Sequence, residues 1–129
     1  MELAHKDLSY QITGACYEVN HTLGPGLLEK VYQEALALEL SLRGIKVERE
    51  KRIPVHYKGH ILDCEYIADM IVDDKVLIEL KSVQSLDDAH RAQTINYLKL
   101  SGLQLAVLVN FHNPRVEIER FLNQQDYQK

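Results

Sequence analysis

The sequence predicts an α/β (α+β) domain with a mixed central sheet flanked by helices, in the order α-α-β-β-β-α-β-β. Three observations carry this expectation. Two stripes with helical spacing open the chain, and the hydrophobic period switches to two after Gly44. A helix-length segment then separates a third strand from a strongly apolar fourth. The length, 129 residues, suits one domain over 1–129 with its own core, and fits two domains poorly.

The elements follow in order. Leu8, Ile12, Ala15, Val19 and Leu23 make the stripe of a first helix over Asp7 to Leu23, which Gly24-Pro25-Gly26 breaks. A second helix is expected from about Leu27 to Leu42. Its expected buried stripe is Leu28, Val31, Ala35, Leu38 and Leu42, with Gly44 as a left-handed cap. Val47 to Tyr57 reads as a strand, Lys58-Gly59-His60 as a turn, and Ile61 to Val72 as a longer or bulged strand. Its even positions from Leu62 to Val72 are almost all apolar. Asp73-Asp74 reads as a two-residue turn into a third antiparallel strand, Lys75 to Val83. Helix returns over about Leu86 to Leu100 and ends at Ser101-Gly102. Leu105 to Phe111 is apolar enough for a central strand. Val116, Ile118 and Arg120 alternate in an edge strand, before a polar tail expected to fray from about 122.

Composition narrows the function. Lys plus Arg number 15 against 19 Asp plus Glu, a net charge of -4, which argues against sequence-independent coating of nucleic acid. A local positive patch or a metal-dependent enzyme stays open. No apolar run reaches the roughly 20 residues of a membrane helix, and no signal peptide is visible. Cys16 and Cys64 lack metal-ligand spacing and sit in apolar segments, so both are expected to be buried thiols, implying a cytoplasmic location. Gly24-x-Gly26 follows a helix rather than a strand, which rejects a dinucleotide or phosphate loop. The six histidines form no zinc pattern, and no nucleophile elbow is present.

The informative residues are acids where the pattern expects apolar side chains. Asp69 interrupts Tyr66-Ile67-Ala68-Asp69-Met70-Ile71-Val72, and Glu79 interrupts Val76-Leu77-Ile78-Glu79-Leu80-Lys81. Glu79 and Lys81 are two apart, so a strand puts them on one face. A two-residue turn pairs Asp69 with Ile78 and leaves Glu79 one position off. A bulge or a longer turn brings the two carboxylates side by side. Such a pair needs a countercharge, and a hard divalent cation such as Mg²⁺ suits oxygen donors. With a lysine on the same face, the set suits phosphodiester hydrolysis. The competing reading is ordinary surface pairing of a Glu-x-Lys triplet. Glu29 and Tyr32 share a face in the first turn of the second helix, where a carboxylate also favours the helix dipole. His90, Gln93 and Tyr97 form one polar and aromatic face of the third helix. Arg49, Lys51, Arg52 and Lys58 form a basic cluster that suits phosphate contact or protection of a sheet edge.

Together these residues resemble a known family. Gly26-Leu-Leu-Glu29-Lys-Val-Tyr32 is similar to the signature of the small bacterial and archaeal GxxExxY proteins, members of the PD-(D/E)XK nuclease superfamily. The resemblance continues through Asp69, Ile78-Glu79-Leu80-Lys81, His90-Arg-Ala-Gln93-Thr-Ile-Asn-Tyr97-Leu98 and Leu108-Val-Asn-Phe111. It implies a restriction-endonuclease-like core and, residue by residue, a set of roles. Asp69 and Glu79 would be metal ligands with the Leu80 carbonyl, and Lys81 the catalytic lysine. Glu29 would be the extra acid of the exonuclease-like branch, serving the metal and catalysis, and Gln93 its helix glutamine. Tyr32, His90, Gln93 and Tyr97 would contact nucleic acid; Arg49 and Lys51 are expected to do so from the basic cluster alone, outside the resemblance. Ala68 stands where the family usually has proline. The resemblance implies a Mg²⁺-dependent deoxyribonuclease, with Mn²⁺ as a substitute ion. A non-catalytic nucleic-acid-binding or regulatory module is the alternative, and a homodimer through a sheet edge or the first helix is a further expectation.

Overall fold

The computed structural model describes residues 5–123. Two helices open the chain, α1 (Lys6–Leu23) and α2 (Glu29–Leu42), followed by strands β1 (Val47–Tyr57), β2 (His60–Val72) and β3 (Val76–Lys81). Helix α3 (Asp88–Ser101) then leads to β4 (Leu105–Asn110) and β5 (Glu117–Leu122). The strands form one sheet in the order β1-β2-β3-β4-β5. All neighbours are antiparallel except β3 and β4, which α3 connects as a parallel pair. This is the α+β, restriction-endonuclease-like architecture expected, with a mixed sheet and the α-α-β-β-β-α-β-β order.

Two cores lie on opposite faces of the sheet. On one, Ile12, Ala15 and Val19 of α1 and Tyr32, Leu36 and Leu40 of α2 pack on Met70, Val76, Ile78, Leu80, Val107 and Val109. On the other, Leu98 of α3 packs with Tyr66, Ala68, Ile71, Leu77 and Ala106. Every residue of β4 is buried, as its continuous apolar run requires of a central parallel strand.

Several expectations change. Helix α2 begins at Glu29, and it buries Tyr32, Gln33, Leu36, Ala37 and Leu40. The expected stripe is turned to solvent instead: Leu28, Leu38 and Leu42 are 77%, 60% and 74% exposed. Two stripes compete for the core on this helix, and the sheet takes the one carrying the tyrosine. Strand β3 ends at Lys81 rather than Val83. Cys64 is exposed, because the outer part of the β1–β2 hairpin extends beyond the sheet; Cys16 is buried, and both thiols are free. Strand β5 continues through Leu122, with Phe121 packed on the α3 side. The rest of the expected tail, 124–129, lies outside the described residues.

The period-two reading of β2 fails at one place. Tyr66 and Ala68 face α3, whereas Met70 and Val72 face α1 and α2. The alternation therefore inverts around Asp69. On β1, Arg49 pairs with Met70 and Lys51 with Ala68, so Glu50 lies opposite Asp69. Glu50 has φ 50°, a left-handed conformation uncommon for a non-glycine residue inside a strand. Both strands thus switch faces at the same rung.

Candidate functional site

The connection from β2 to β3 spans three residues, 73–75, because Val72 pairs with Val76. That one extra residue over the expected turn moves the register, so Met70 pairs with Ile78 and the next rung falls at Asp69 and Glu79. At this rung side chains take over from the backbone ladder. The Asp69 N–H donates to Glu79 Oε2 at 3.0 Å, and the Leu80 N–H donates to Asp69 Oδ2 at 2.7 Å. Each carboxylate uses one oxygen in this way and keeps the other. In an extended strand the N–H and C=O of one residue point the same way. The Leu80 carbonyl therefore faces the same side as the N–H that Asp69 accepts.

The electrostatics match the geometry. Glu79 is 5% exposed, and burial, followed by the charge of Asp69, pushes its carboxyl up to about 8. Burial also raises Asp69, against the opposing effects of the Leu80 N–H and Lys81. Glu29 is raised by burial and by the charge of Asp69, while Lys81 lowers it. Glu29, Asp69, Glu79 and Lys81 therefore lie within one another's fields, although they come from α2, β2 and β3.

The loop that leads into Glu29 is held by a lock that residue spacing alone does not reveal. Tyr32, expected on the nucleic-acid surface, is fully buried. Its ring stacks on Phe111 with centroids 4.8 Å apart, and its hydroxyl donates to the Gly24 carbonyl at 2.6 Å. The same hydroxyl accepts the Leu27 N–H at 3.1 Å. Ser82 Oγ donates to the Leu27 carbonyl at 2.7 Å, and the Phe111 N–H donates to the Lys81 carbonyl at 3.0 Å. The loop before α2 is thus tied to the residue following Lys81. Gln33, also buried, donates from Nε2 to the Asp69 carbonyl at 3.2 Å. A polar residue inside the stripe of Leu36 and Leu40 was the available signal for it. Asn110, at the end of apolar β4, accepts the Val83 N–H and donates to the Val83 carbonyl, which fixes the chain beyond Lys81.

Tyr32→Phe keeps the stack and removes both hydroxyl bonds. It is expected to cost about 1–2 kcal/mol and to speed amide exchange at Leu27 while sparing the last turns of α2. Hydrogen exchange read by NMR or mass spectrometry checks this, and unchanged exchange at Leu27 would refute the lock.

The remaining expected residues are placed as follows. Tyr97 stacks on Tyr66 at 4.2 Å, and the Tyr66 hydroxyl donates to the Tyr97 carbonyl. Burial, and secondarily the charge of Glu79, pushes the Tyr66 phenol up to about 12, which puts this aromatic pair beside the acids. Gln93 is exposed and donates to the Tyr97 hydroxyl at 3.1 Å. His90 closes a capping box with Asp87 at the start of α3. Arg49 pairs with Glu34, and Lys51 with Glu48, so both basic residues are engaged within the chain.

The donor set suits a hard divalent cation: two neighbouring carboxylates with an oxygen each to offer, one of them unwilling to ionise without a countercharge, and a carbonyl alongside. Among the described residues, no group of three or more His, Cys, Asp or Glu side chains is gathered closely enough to hold a metal. Glu29 is therefore a neighbour of the pair rather than a third member of a closed cluster.

Residues 6–121 match the PD-(D/E)XK nuclease superfamily. The chain belongs to the PD-(D/E)XK nuclease superfamily. A solved structure, the crystal structure of SSO0001, is similar with a TM-score of 0.57 and 20% identity over 72% of this chain. That likeness speaks to the fold alone, and the chain spans 48% of that protein's length. No curated protein matches the chain. Among the described residues, no helix is long and apolar enough to cross a membrane.

Proposed function

We propose that this superfamily member is a divalent-cation-dependent nuclease that hydrolyses phosphodiester bonds of DNA. The observation that carries the reading is the rung at which Asp69 and Glu79 meet, with Lys81 on the face of Glu79 and within the field of both. The pattern of Gly26, Glu29 and Tyr32 supports a place in the GxxExxY group.

Asp69, Glu79 and the Leu80 carbonyl would hold Mg²⁺ or Mn²⁺. Such an ion supplies a lowered pKa for water and neutralisation of phosphate charge. The chain's own residues do the rest. Asp69 and Glu79 present fixed oxygens because the backbone N–H groups of Leu80 and Asp69 orient them. Lys81 orients the attacking water and stabilises the negative charge that grows on the phosphate oxygens. Glu29 stands at the rim, held by the Tyr32 lock, where it receives a proton or positions a second water. Gln93, on the exposed face of α3 beside Tyr97, meets the backbone or sugar of the bound strand.

The test is cleavage of linear, nicked, branched and single-stranded DNA, with RNA in parallel, in Mg²⁺, Mn²⁺ or EDTA. Cleavage is expected only with the cation, and Asp69→Ala should abolish it. Cleavage that survives EDTA or Asp69→Ala would overturn the assigned site. DNA binding without turnover in every cation would favour the non-catalytic module instead.

A further inference from the structure

The face of α2 that the fold leaves in water carries a pattern of its own. Leu28, Val31, Ala35, Leu38 and Leu42 recur at intervals of three, four, three and four residues. That is the spacing of a seam between two helices wound together, narrower than the face a helix lays on a sheet. The sheet side of α2 is already filled by Tyr32, Leu36 and Leu40; of the outer stripe only Ala35 packs partly against that core, and its four large residues do not. Leu28, Leu38 and Leu42 are 77%, 60% and 74% exposed, and Val31 is 40% exposed. Four side chains at these exposures present on the order of 400 Å² of apolar surface, a size that marks contact sites on soluble proteins.

We propose that this seam binds a second copy of the same chain, α2 against α2, about a two-fold axis passing near Ala35. Three features favour a copy of itself over another partner. Ala35 stands at the middle of the stripe, seven residues from Leu28 at the N-cap and seven from Leu42, with two large residues on each side, so an antiparallel pairing sets Leu28 of one copy beside Leu42 of the other. Ala35 is small, so although it packs partly on the chain's own core it leaves no bulk to hold the helix axes apart at the centre. The charges beside the stripe are compensated within the chain, Glu34 by Arg49 and Glu39 by Arg43. A two-fold axis at Ala35 sets these internally neutralised pairs near their copies, so no net charge beside the seam repels the second chain.

The area is consistent. Two facing stripes cover about 800 Å² of apolar surface, and the flanking residues carry the total past the ~1,000 Å² that a specific interface requires. A groove of about 480 Å³ opens beside the seam, between Leu38 and Val47, and gives the second copy's leucines room to insert.

Sedimentation equilibrium tests this over a range from low micromolar to a few hundred micromolar protein. Wild type is expected to shift from 14.9 kDa towards twice that mass as concentration rises. Leu38→Glu and Leu42→Glu, both at exposed positions, should each weaken the dimer at least tenfold while circular dichroism and thermal melting stay close to wild type. Tyr10→Glu, on the exposed side of α1, should leave the equilibrium unchanged. A wild type that stays monomeric throughout, a dimer that survives both leucine substitutions, or one that Tyr10→Glu dissociates would overturn the proposal. So would growth into larger species, because they require a contact that is not two-fold. None of these readouts uses nuclease activity, so the interface stands or falls apart from the catalytic reading.

Discussion

In metal-free buffer near pH 9, Glu79→Gln should be more stable than the wild type, and near pH 4 the two should be alike. Burial and the charge of Asp69 push Glu79 up to about 8, from 4.5 in the absence of its surroundings. The folded state therefore holds a proton that the unfolded chain releases over that window. Stability falls as pH rises from about 4.5 to 8, with a slope approaching ~1.4 kcal/mol per pH unit, and levels off above it. Glutamine removes the titration and keeps an oxygen to accept the Asp69 N–H. Urea denaturation in EDTA at several pH values reads the difference. A wild type and a variant with equal slopes would refute the assignment of Glu79 as the strained acid. Added Mg²⁺ or Mn²⁺ should stabilise the wild type, increasingly so as pH rises, and the glutamine variant less.

Lys81→Ala should lower the rate of the chemical step by about 10²–10⁴-fold while substrate binding and stability change little. Among the described residues Lys81 takes part in no salt bridge, so its removal leaves no carboxylate newly bereft of a direct partner. What is lost is a positive charge in the field of Asp69, Glu79 and Glu29. Single-turnover cleavage and a separate binding titration distinguish the two effects. A variant that binds poorly but cleaves bound DNA at the wild-type rate would make Lys81 a binding residue only.

Much of this was legible in the sequence, and the reasons for the rest are specific. Element order could be read because the hydrophobic period changes cleanly at Gly44 and again before α3. Asp69, Glu79 and Lys81 stood out as charges in apolar strands. Their alignment could not be fixed, since it depends on whether the β2–β3 turn holds two residues or three, and Asp73-Asp74 suits the shorter turn equally well. The left-handed Glu50 that accompanies the change of face leaves no mark in the sequence. On α2 the stripe of leucines is the stronger signal by hydrophobicity. Only Phe111, seventy-nine residues after Tyr32, explains why the helix turns its tyrosine inwards. Spacing alone sets Tyr32 and Glu29 on one face, whereas the first is buried and the second is exposed.

The rung at Asp69 also bears on descent. The bonds from the Asp69 and Leu80 amides make the acidic pair the last tie between β2 and β3, so the same atoms serve the sheet and the site. A relative without the proposed activity would still be under selection to keep an oxygen at positions 69 and 79, because losing either strands a backbone amide. Lys81, with no such duty to the sheet, is free to drift. In relatives without the proposed activity, the lysine should be absent more often than the acids.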